Sequence, residues 1–594
     1  MGNTAEANVK GGSFLIDDLD PEQLYTPEDF SEEQKLMGKT TADYIEKEVV
    51  PHFETLVNQD WDLTRKLLEK AGELGLLGAD VPEAYGGLGL DKISSSLITE
   101  KFSRAGSFSL SYGAHVGIGT LPIVMFGNEE QKKQYLPDLA TGKRLAAYAL
   151  TEPGSGSDAL GAKTTAKLND EGTHYILNGE KQWITNSGFA DVFVVYAKID
   201  GEHFSAFIVE RDYPGVSTGQ EEKKMGIKMS STRTLILEDV AVPKENLLGE
   251  KGKGHKIAFN ILNIGRYKLA VGCVGGAKRG VGVSAKYANE RQQFKTPIAK
   301  FTLIQEKLAN MATKTYATES SVYRTVGLFE DRFSQLSEED QKDGKKIADA
   351  IGEYAIECSL NKVFASEALD YIVDEAVQIH GGYGYMAEYE VEMAYRDSRI
   401  NRIFEGTNEI NRLLVPGTLV KKAMKGDLPL LQKAQSLQEE LMMLMPEEPG
   451  TEALDQEKHL LKNAKKIFLM AAGLGVQKFG QELEHEQELL ANVADIVNEV
   501  YTMESVIVRT EKAITKNGVE KNKQKLLMTE VFCQEAFNRI EALAKESLIA
   551  VEEGDQLRMM LSALRKLTRH TPVNVIAKKR EIAGKVLEAE QYVV

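Results

Sequence analysis

The sequence predicts a mainly α protein with a central β-domain, and three observations lead to this fold class. Helical periodicity fills the chain up to about Tyr148, short runs of β-branched and aromatic residues follow, and helical periodicity returns at about Lys256. The chain has 594 residues, which is too long for one hydrophobic core. We therefore expect several domains, in the order helical, strand-rich, helical, and then a further helical region.

The first helical part begins with a recognisable start signal. Ser31 and Gln34 have the spacing of a capping box, in which each side chain bonds the backbone N–H of the other. We take residues 1–34 as an N-terminal extension and residues 35–148 as an N-terminal helical domain, because apolar residues recur there at helical spacing.

The middle part, residues 149–255, has the composition of a small antiparallel β-domain. Its apolar runs are short and are separated by Gly, Asn, Asp and Pro, which is the pattern of strands joined by turns. The predicted strands cover residues 173–178, 191–199, 203–210 and 233–242.

Long helical segments follow from 256 to 424 and are consistent with a helix bundle. Two prolines and a cluster of acidic residues at 445–457 indicate a linker or an exposed loop. Residues 425–594 are again helical, so we expect a separate C-terminal helical domain.

Composition excludes several classes of protein. There are 72 Lys and Arg against 89 Asp and Glu, so the net charge is −17, which disfavours nucleic-acid binding. Cys273, Cys358 and Cys533 are far apart, which argues against a zinc site and a disulfide framework, and we expect no metal. The start of the sequence lacks a secretory signal, and no apolar run approaches the roughly 20 residues that cross a bilayer. We therefore expect a cytoplasmic protein.

Two glycine motifs fail as dinucleotide fingerprints. Residues 280–285 and 382–387 both match G-x-G-x-x-A. Neither follows a predicted strand inside a βαβ unit, which the fingerprint requires. The sequence therefore gives no support for a Rossmann fold.

Three other stretches have residues suited to a ligand site. The loop YALTEPGSGSDALG, 148–161, places hydroxyl groups among glycines, and KQWITNSG, 181–188, sets Trp183 close to Thr185. In RIFEGTNEINR, 402–412, the carboxylate of Glu405 stands between apolar and small residues. Such a glutamate is either half-solvated at a helix start or held in an apolar pocket, where its pKa rises and it can act as a base.

Six motifs follow one another along the chain: ALTEPGSGSDALG (149–161), KQWITNSG (181–188), MGIKMSSTR (225–233), ERQQFKTPI (290–298), QIHGGYGY (378–385) and RDSRINRIFEGTNEINR (396–412). They occur in the order seen in acyl-CoA dehydrogenases, and the chain resembles that family over roughly residues 35–425. The additional C-terminal region makes it most similar to the very-long-chain branch.

The resemblance implies the family fold, with an N-terminal helical domain, a middle β-domain and a helix bundle. It also implies FAD between the β-domain and the bundle, in a site that dimer contacts complete. The residues implied for FAD binding within one subunit are Tyr148, Leu150, Thr151, Gly156, Ser157, Trp183, Ile184, Thr185, Thr407, Asn408 and Glu409. Those implied for the FAD of the partner subunit are Arg291, Phe294, Gln378, Gly381 and Gly382.

In this resemblance Glu405 is the catalytic base that removes the α-proton of an acyl thioester. Some relatives carry the base on a bundle helix, just before the arginine that matches Arg266, but here that position is Gly265. The implied substrate-binding residues are Ser157, Asn263, Arg266 and Gly406, with a structural ion pair as the alternative role of Arg266.

The expected activity is flavin-dependent α,β-dehydrogenation of long-chain fatty acyl-CoA to trans-2-enoyl-CoA, the first step of fatty-acid β-oxidation. Electrons would pass to an electron-transfer flavoprotein, and the assembly would be a homodimer. Small residues at Gly113, Ala114 and Gly117 would deepen the acyl cavity or simply allow close helix packing.

Three alternatives remain open at the level of the sequence. The first alternative to the dehydrogenase is an acyl-CoA oxidase that uses oxygen. The second is a family member that acts in the assembly of other proteins rather than as an enzyme. In the C-terminal domain, the lysines of segment 461–480 either contact an anionic membrane surface or lie along a packed helix.

Overall fold

The computed structural model of the protein describes residues 9–442 and 447–594. The first eight residues of the predicted N-terminal extension lie outside this part. So do the first two residues of the predicted linker at 445–457.

Short helices make up the N-terminal part. The capping box predicted for its first helix is confirmed, since the N–H of Gln34 donates to Ser31 Oγ (3.1 Å) and the N–H of Ser31 donates to Gln34 Oε1 (2.9 Å). The helices are α1 (Glu32–Tyr44), α2 (Phe53–Val57), α3 (Trp61–Glu73), α4 (Lys92–Phe102), α5 (Phe108–Gly113), α6 (Leu121–Phe126) and α7 (Glu129–Thr141).

The strands of the middle part are β1 (Ala146–Ala149), β2 (Thr165–Leu168), β3 (His174–Thr185), β4 (Val192–Ile199), β5 (His203–Glu210), β6 (Val216–Thr218), β7 (Thr232–Pro243) and β8 (Leu247–Leu248). They form one sheet in the order β6-β7-β3-β2-β4-β5-β8, and β1 also pairs with β4. Most neighbours are antiparallel, but β1 and β2 run parallel to β4, so the expectation of a purely antiparallel domain is wrong for these pairs. The chain between β1 and β4 is long enough for the crossover that parallel pairing needs.

Strand β4 explains why the run at 191–199 is apolar almost throughout. Val194 and Tyr196 belong to the main core, whereas Phe193 and Val195 belong to a separate core on the other face of the sheet. Because successive side chains of a strand point to opposite faces, a strand covered on both sides needs apolar residues at every position.

Longer helices form the bundle and the C-terminal part. In the bundle, α8 packs against α9 and α11, and α13 packs against α11. The bundle contains α8 (Gly254–Glu290), the short strands β9 (Gln292–Gln293) and β10 (Thr296–Pro297), α9 (Thr302–Ser334), α10 (Gly344–Gly352), α11 (Ala355–His380), α12 (Glu390–Ser398) and α13 (Asn408–Lys425). The C-terminal helices are α14 (Leu430–Met442), α15 (Asp455–Phe479), α16 (Gln487–Asn517), α17 (Lys523–Val551), α18 (Gly554–Leu567) and α19 (Val575–Ala589). The predicted fold class, mainly α with a central β-domain and an extra C-terminal helical domain, is confirmed.

One expectation about apolar runs is wrong. The continuous helical stretch Phe108–Phe126, 19 residues long, is apolar enough to cross a membrane by length and composition. In this structure 72% of its apolar window is buried inside the protein, as in the core helix of a globular domain. Its place is between the β-domain and α8, where it forms one wall of a cavity.

The N-terminal extension is packed against the C-terminal helices. The ring of Phe14 is buried and lies 4.7 Å from the ring of Tyr501. The guanidinium of Arg509, itself buried, donates to Glu28 Oε1 at 2.8 Å and to Glu319 Oε2 at 2.7 Å. The beginning and the end of the chain therefore share one ionic cluster with the bundle helix α9.

Lysines of segment 461–480 form ion pairs in this structure. Lys462 pairs with Glu447, Lys466 pairs with Glu440, and the buried Lys465 pairs with Glu504. Acidic partners therefore neutralise most of the charge that would attract an anionic lipid surface.

Candidate active site

Glu405 lies in a sharp turn that leads into helix α13. Glu405 and Gly406 both have left-handed backbone conformations, with φ of 58° and 79°. Thr407 then caps α13, since its hydroxyl accepts from the N–H of Ile410 at 3.2 Å. A left-handed conformation costs a residue other than glycine on the order of 1 kcal/mol or more, so neighbouring contacts have to hold Glu405 in place.

Three side chains supply those contacts through backbone carbonyl groups. Arg266 Nε donates to the carbonyl oxygen of Glu405 at 3.3 Å. Lys362 Nζ and Asn411 Nδ2 donate to the carbonyl oxygen of Gly406 at 2.7 Å and 2.8 Å. Sequence reasoning missed Lys362 and Asn411, although a lone lysine in the apolar stretch of α11 was a usable signal.

The carboxyl group of Glu405 is buried rather than held in solvent. Its Oε2 atom is buried and has no hydrogen-bond partner among the described residues. Burial raises the pKa of Glu405 to about 7, while the positive charges of Arg266 and Lys362 act in the opposite direction. The group therefore titrates near neutral pH, as a general base working there requires.

Gly265 makes the space for this carboxyl group. An ideal Cβ atom at position 265 would lie 2.3 Å from Glu405 Oε2 and 2.6 Å from its Cδ atom. Any larger residue on α8 would occupy the same volume as the carboxylate.

Most of the predicted site residues line one large cavity between the β-domain and the bundle. Its volume is about 1310 Å³. The predicted residues along its wall are Tyr148, Leu150, Thr151, Gly156, Ser157, Trp183, Ile184, Thr185, Asn263, Arg266, Glu405, Gly406 and Thr407. The structure thus brings together residues from β1, the glycine-rich loop, β3, α8 and the Glu405 turn.

Trp183 faces the cavity because β3 is irregular at this point. The pairing of β3 with β7 shifts register between Lys181 and Ile184, and Trp183 has a left-handed φ of 58°. The indole remains 60% exposed, which is unusual for a tryptophan beside a sheet core. A bulge of this kind re-aims a side chain toward a site.

A buried ion pair joins the glycine-rich loop to β3. Lys181 Nζ donates to Glu152 Oε1 at 2.7 Å, and both side chains are almost fully buried. Burial alone would raise the pKa of Glu152, but Lys181 and Thr164 lower it below its ordinary value. Sequence reasoning missed this pair, although Glu152 and Lys181 each stand in one of the six motifs, because the sequence does not show that the two motifs meet.

A second, smaller cavity contains three of the residues predicted to reach the partner's cofactor. Arg291, Gly381 and Gly382 line a space of about 470 Å³ that shares no described residue with the large cavity. The guanidinium of Arg291 lies 5.3 Å from the ring centre of Tyr383. Phe294 is 89% exposed nearby, and Gln378 is exposed at the end of α11. Their roles toward a partner stay predictions.

Asn408 and Glu409 line neither cavity. The side chain of Asn408 is buried: its Oδ1 accepts from Lys362 Nζ at 2.7 Å and its Nδ2 donates to Ser366 Oγ at 3.0 Å. Any contact with a cofactor would therefore use the backbone of Asn408. Glu409 is exposed in the first turn of α13.

The large cavity extends past Glu405 along helix α8. The residues of α8 on its wall include Leu262, Gly265, Leu269, Gly272, Gly276, Gly280 and Val283. At a rise of 1.5 Å per residue, the stretch from Gly265 to Val283 is about 27 Å long. The opposite wall includes Gly113, Ala114 and Gly117. Their place there is the one expected if these small residues deepen the acyl cavity.

His115 fixes that opposite wall to the sheet. Its Nδ1 accepts from the N–H of Ala146 at 3.0 Å, and its Nε2 lies 2.9 Å from the carbonyl oxygen of Leu139. Burial lowers the pKa of His115 to about 4, so the ring is neutral and Nε2 donates. His115 therefore has a structural role that the sequence did not reveal.

Within residues 9–442 and 447–594, no group of three or more His, Cys, Asp or Glu side chains is arranged to hold a metal ion. All three cysteines are buried and free.

Family models for acyl-CoA dehydrogenases match four segments of the chain. The acyl-CoA dehydrogenase N-terminal domain matches residues 31–143, and the middle domain matches residues 147–240. Two models described as the acyl-CoA dehydrogenase C-terminal domain match residues 252–419 and 463–566.

The chain is similar to named relatives over most or all of its length. A probable acyl-CoA dehydrogenase of Bacillus subtilis (strain 168) is 73% identical over 594 residues, covering 100% of both chains. The very long-chain specific acyl-CoA dehydrogenase of Rattus norvegicus mitochondria is 34% identical over 537 residues, covering 84% of this chain and 77% of the relative. A crystal structure of an acyl-CoA dehydrogenase complexed with FAD from Bacillus anthracis superposes with a TM-score of 0.98 at 74% identity, covering 99% of this chain and 100% of that one.

Proposed function

The chain belongs to the acyl-CoA dehydrogenase family, and on that premise we propose that it oxidises long-chain fatty acyl-CoA to trans-2-enoyl-CoA in fatty-acid β-oxidation. It is an FAD-dependent enzyme, since a relative that covers the whole chain at 74% identity is complexed with FAD. The long acyl chain and the passage of electrons to an electron-transfer flavoprotein are the finer parts of the proposal.

The residues around the large cavity fit FAD. A Cβ atom at Gly154 or Gly156 would meet no atom within 4 Å, so the glycine-rich loop borders open space. Thr151 and Thr185 present hydroxyl groups at the same cavity, and Trp183 presents an exposed ring. These residues, with Tyr148, would hold the cofactor. FAD, when bound, supplies the acceptor for the hydrogen that leaves the β-carbon with its electron pair.

Glu405 would take the α-proton of the acyl thioester at its unpartnered Oε2 atom. Water at this atom is limited by burial, so the carboxylate is more basic than one in solvent. Lys362 and Arg266 hold the turn through backbone carbonyl groups, so the carboxylate is oriented before substrate arrives. Asn263, whose Oδ1 accepts from Arg266 Nη1 at 3.1 Å, and Ser157 would help to position the rest of the substrate.

The length of the cavity carries the proposal of a long acyl chain. Beyond Gly265 the cavity continues for about 27 Å along α8, which leaves room for a long, straight chain past the reacting carbons. Gly113 faces this space, since a Cβ atom there would meet no atom within 4 Å. The similarity to a very long-chain specific relative also supports a long acyl chain.

The proposed electron acceptor is a protein rather than oxygen. The indole of Trp183 lines the cavity and is also 60% exposed, so the cofactor site lies close to a surface that a protein can reach. We further propose a cytoplasmic homodimer in which Arg291 and Phe294 of one subunit approach the cofactor of the other. The second cavity and the exposed ring of Phe294 support that arrangement.

An anaerobic titration tests this proposal. The purified protein should be yellow and should bleach on addition of palmitoyl-CoA, whereas Glu405→Gln should keep its colour and fail to bleach. Addition of an electron-transfer flavoprotein should then restore the colour faster than addition of air. Rapid peroxide production in air would favour an oxidase instead. A protein that cannot bind FAD would contradict the proposal and favour an assembly role.

A further inference from the structure

Three buried charges form a cluster beside the large cavity. Asp80 Oδ1 lies 2.5 Å from Lys92 Nζ, and Asp80 Oδ2 lies 2.5 Å from Lys268 Nζ. The side chains of Asp80, Lys92 and Lys268 are only 4%, 9% and 8% exposed. Each lysine thus pairs with a different oxygen of the Asp80 carboxylate.

The cluster joins the N-terminal helical part to the bundle. Asp80 lies in the segment between α3 and α4, Lys92 is the first residue of α4, and Lys268 is on α8. Glu330 on α9 accepts from the backbone N–H of Lys92 at 2.5 Å. Buried charges are tolerated only when they are paired, so removal of either lysine leaves Asp80 with one partner.

The two lysines differ in one respect. Lys268 lines the large cavity, whereas Lys92 is not among the described residues on its wall. An ideal Cβ atom at Gly117 would lie 3.6 Å from Lys268 Cδ, which is ordinary van der Waals contact, so the lysine stem packs against this glycine. The methylene groups of Lys268 are therefore available to an apolar ligand while its ammonium group is bound to Asp80.

The ion pair gives this stretch of wall a fixed shape. A lysine stem has four rotatable bonds and would otherwise sample many rotamers. Lys268 is three residues beyond Gly265 on α8, which is about 4.5 Å further along the helix axis from the carboxyl group of Glu405. An acyl chain whose reacting carbons lie at Glu405 would pass Lys268 a few carbons later.

We propose that Lys268 is a specificity-determining residue whose stem, anchored by Asp80, sets the width of the acyl cavity and restricts substrates to chains unbranched at that depth. This inference rests on the proposed function, because it takes Glu405 as the position of the reacting carbons.

The test compares straight-chain acyl-CoA with acyl-CoA of the same carbon number that carries a methyl branch at the fourth to sixth carbon. Lys268→Ala should raise the ratio of kcat/KM for branched to straight substrate on the order of tenfold, the usual effect of one methyl group in an apolar site. Gly113→Ala adds a methyl group to open space on the opposite wall of the cavity and should lower the ratio.

Two control variants separate the effect of the cavity wall from the effect of the charge cluster. Lys268→Met keeps most of the stem without the charge and should shift the ratio less than Lys268→Ala does. Lys92→Met removes the other charge of the cluster without changing the wall, and the ratio should stay as in the unmodified protein. Calorimetric binding of branched and straight trans-2-enoyl-CoA gives the same comparison without turnover.

An unchanged ratio in Lys268→Ala, or an equal shift in Lys92→Met, would overturn the inference. If Lys268→Ala does not fold, Lys268→Met decides: its stem is no longer held by Asp80, so a ratio equal to that of the unmodified protein counts against the proposal. Failure of the unmodified protein to oxidise any acyl-CoA would instead count against the proposed function.

Discussion

The carboxyl group of Glu405 occupies the place that a side chain at Gly265 would take, since an ideal Cβ atom there would lie 2.3 Å from Glu405 Oε2. The two residues are far apart in sequence, one on α8 and one in the turn before α13. The space between α8 and the turn before α13 holds one carboxylate, and in this protein that carboxylate belongs to Glu405 of the turn.

Gly265→Ala should therefore displace the carboxylate rather than merely stiffen the helix. We expect kcat with palmitoyl-CoA to fall on the order of 100-fold, since a shift of about 1 Å in a reacting group has effects of that size. FAD content should not change, because Gly265 is not among the residues that would hold the cofactor. Gly282→Ala is the matched control on the same helix, since its Cβ atom would meet no atom closer than 3.4 Å and Gly282 is not among the described residues on the cavity wall. A Gly265→Ala enzyme as active as that control would contradict the arrangement.

The activity should depend on pH through Glu405. Its pKa is raised to about 7 by burial, so the carboxylate form needed for proton removal is lost as the pH falls below that value. We expect log(kcat/KM) for palmitoyl-CoA to rise with pH and to level off above about 7. A profile that is flat between pH 5.5 and 8.5 would exclude Glu405 as the titrating base.

Stability should depend on pH in the opposite sense. A carboxyl group with a raised pKa in the folded state stabilises the fold below its ordinary value of 4.5, and this contribution is lost as the pH rises through about 7. Glu357 and Glu457 are also buried with pKa values raised to about 7, so the unmodified protein should lose stability over this window from several groups. Glu405→Gln should lose less stability than the unmodified protein between pH 5 and 8. Thermal melts of both proteins at pH 5 and pH 8 measure this difference. If both proteins lose the same amount of stability between the two pH values, the result would argue against a buried Glu405.

Lys362 should act on the reaction without touching the substrate. Its ammonium group bonds the carbonyl oxygen of Gly406 and lowers the pKa of Glu405. In Lys362→Met the midpoint of the pH profile should move upward, because the charge that favours the carboxylate is gone. Ser366→Ala is the control, since Ser366 bonds Asn408 in the same network but carries no charge. An unshifted midpoint in Lys362→Met would leave Lys362 with a packing role only.

The sequence could predict the fold class because the signal for each element is local. The capping box at Ser31 and Gln34, the strand run at 203–210 and the helical periodicity of the bundle are read from neighbouring residues. The apolar setting of Glu405 could also be anticipated from its neighbours, although the catalytic role of Glu405 stays a prediction. What the sequence did not reveal depends on residues distant in the chain.

The missed contacts illustrate the point. Lys181 with Glu152, Lys362 with Gly406 and Asp80 with Lys268 are pairs that only tertiary packing brings together. The sequence can show a lysine within an apolar stretch, as at Lys362, but it does not show the partner that makes its burial tolerable. The parallel pairing of β1 and β2 with β4 was missed for the same reason, since the strand pattern does not encode which strands become neighbours.

Arg509 provides the test of how the C-terminal domain is attached. Its guanidinium is buried and bonds Glu28 of the N-terminal extension and Glu319 of α9. Arg509→Met leaves two carboxylates without this partner, and the free energy of unfolding should fall by about 3–5 kcal/mol. Arg558→Met is the control, because its pair with Asp555 is exposed to solvent and should contribute at most about 1 kcal/mol. Urea unfolding of both variants, followed by tryptophan fluorescence, measures the difference. Equal midpoints would mean that apolar packing, as between Phe14 and Tyr501, holds the two ends of the chain to the bundle without help from the charge cluster.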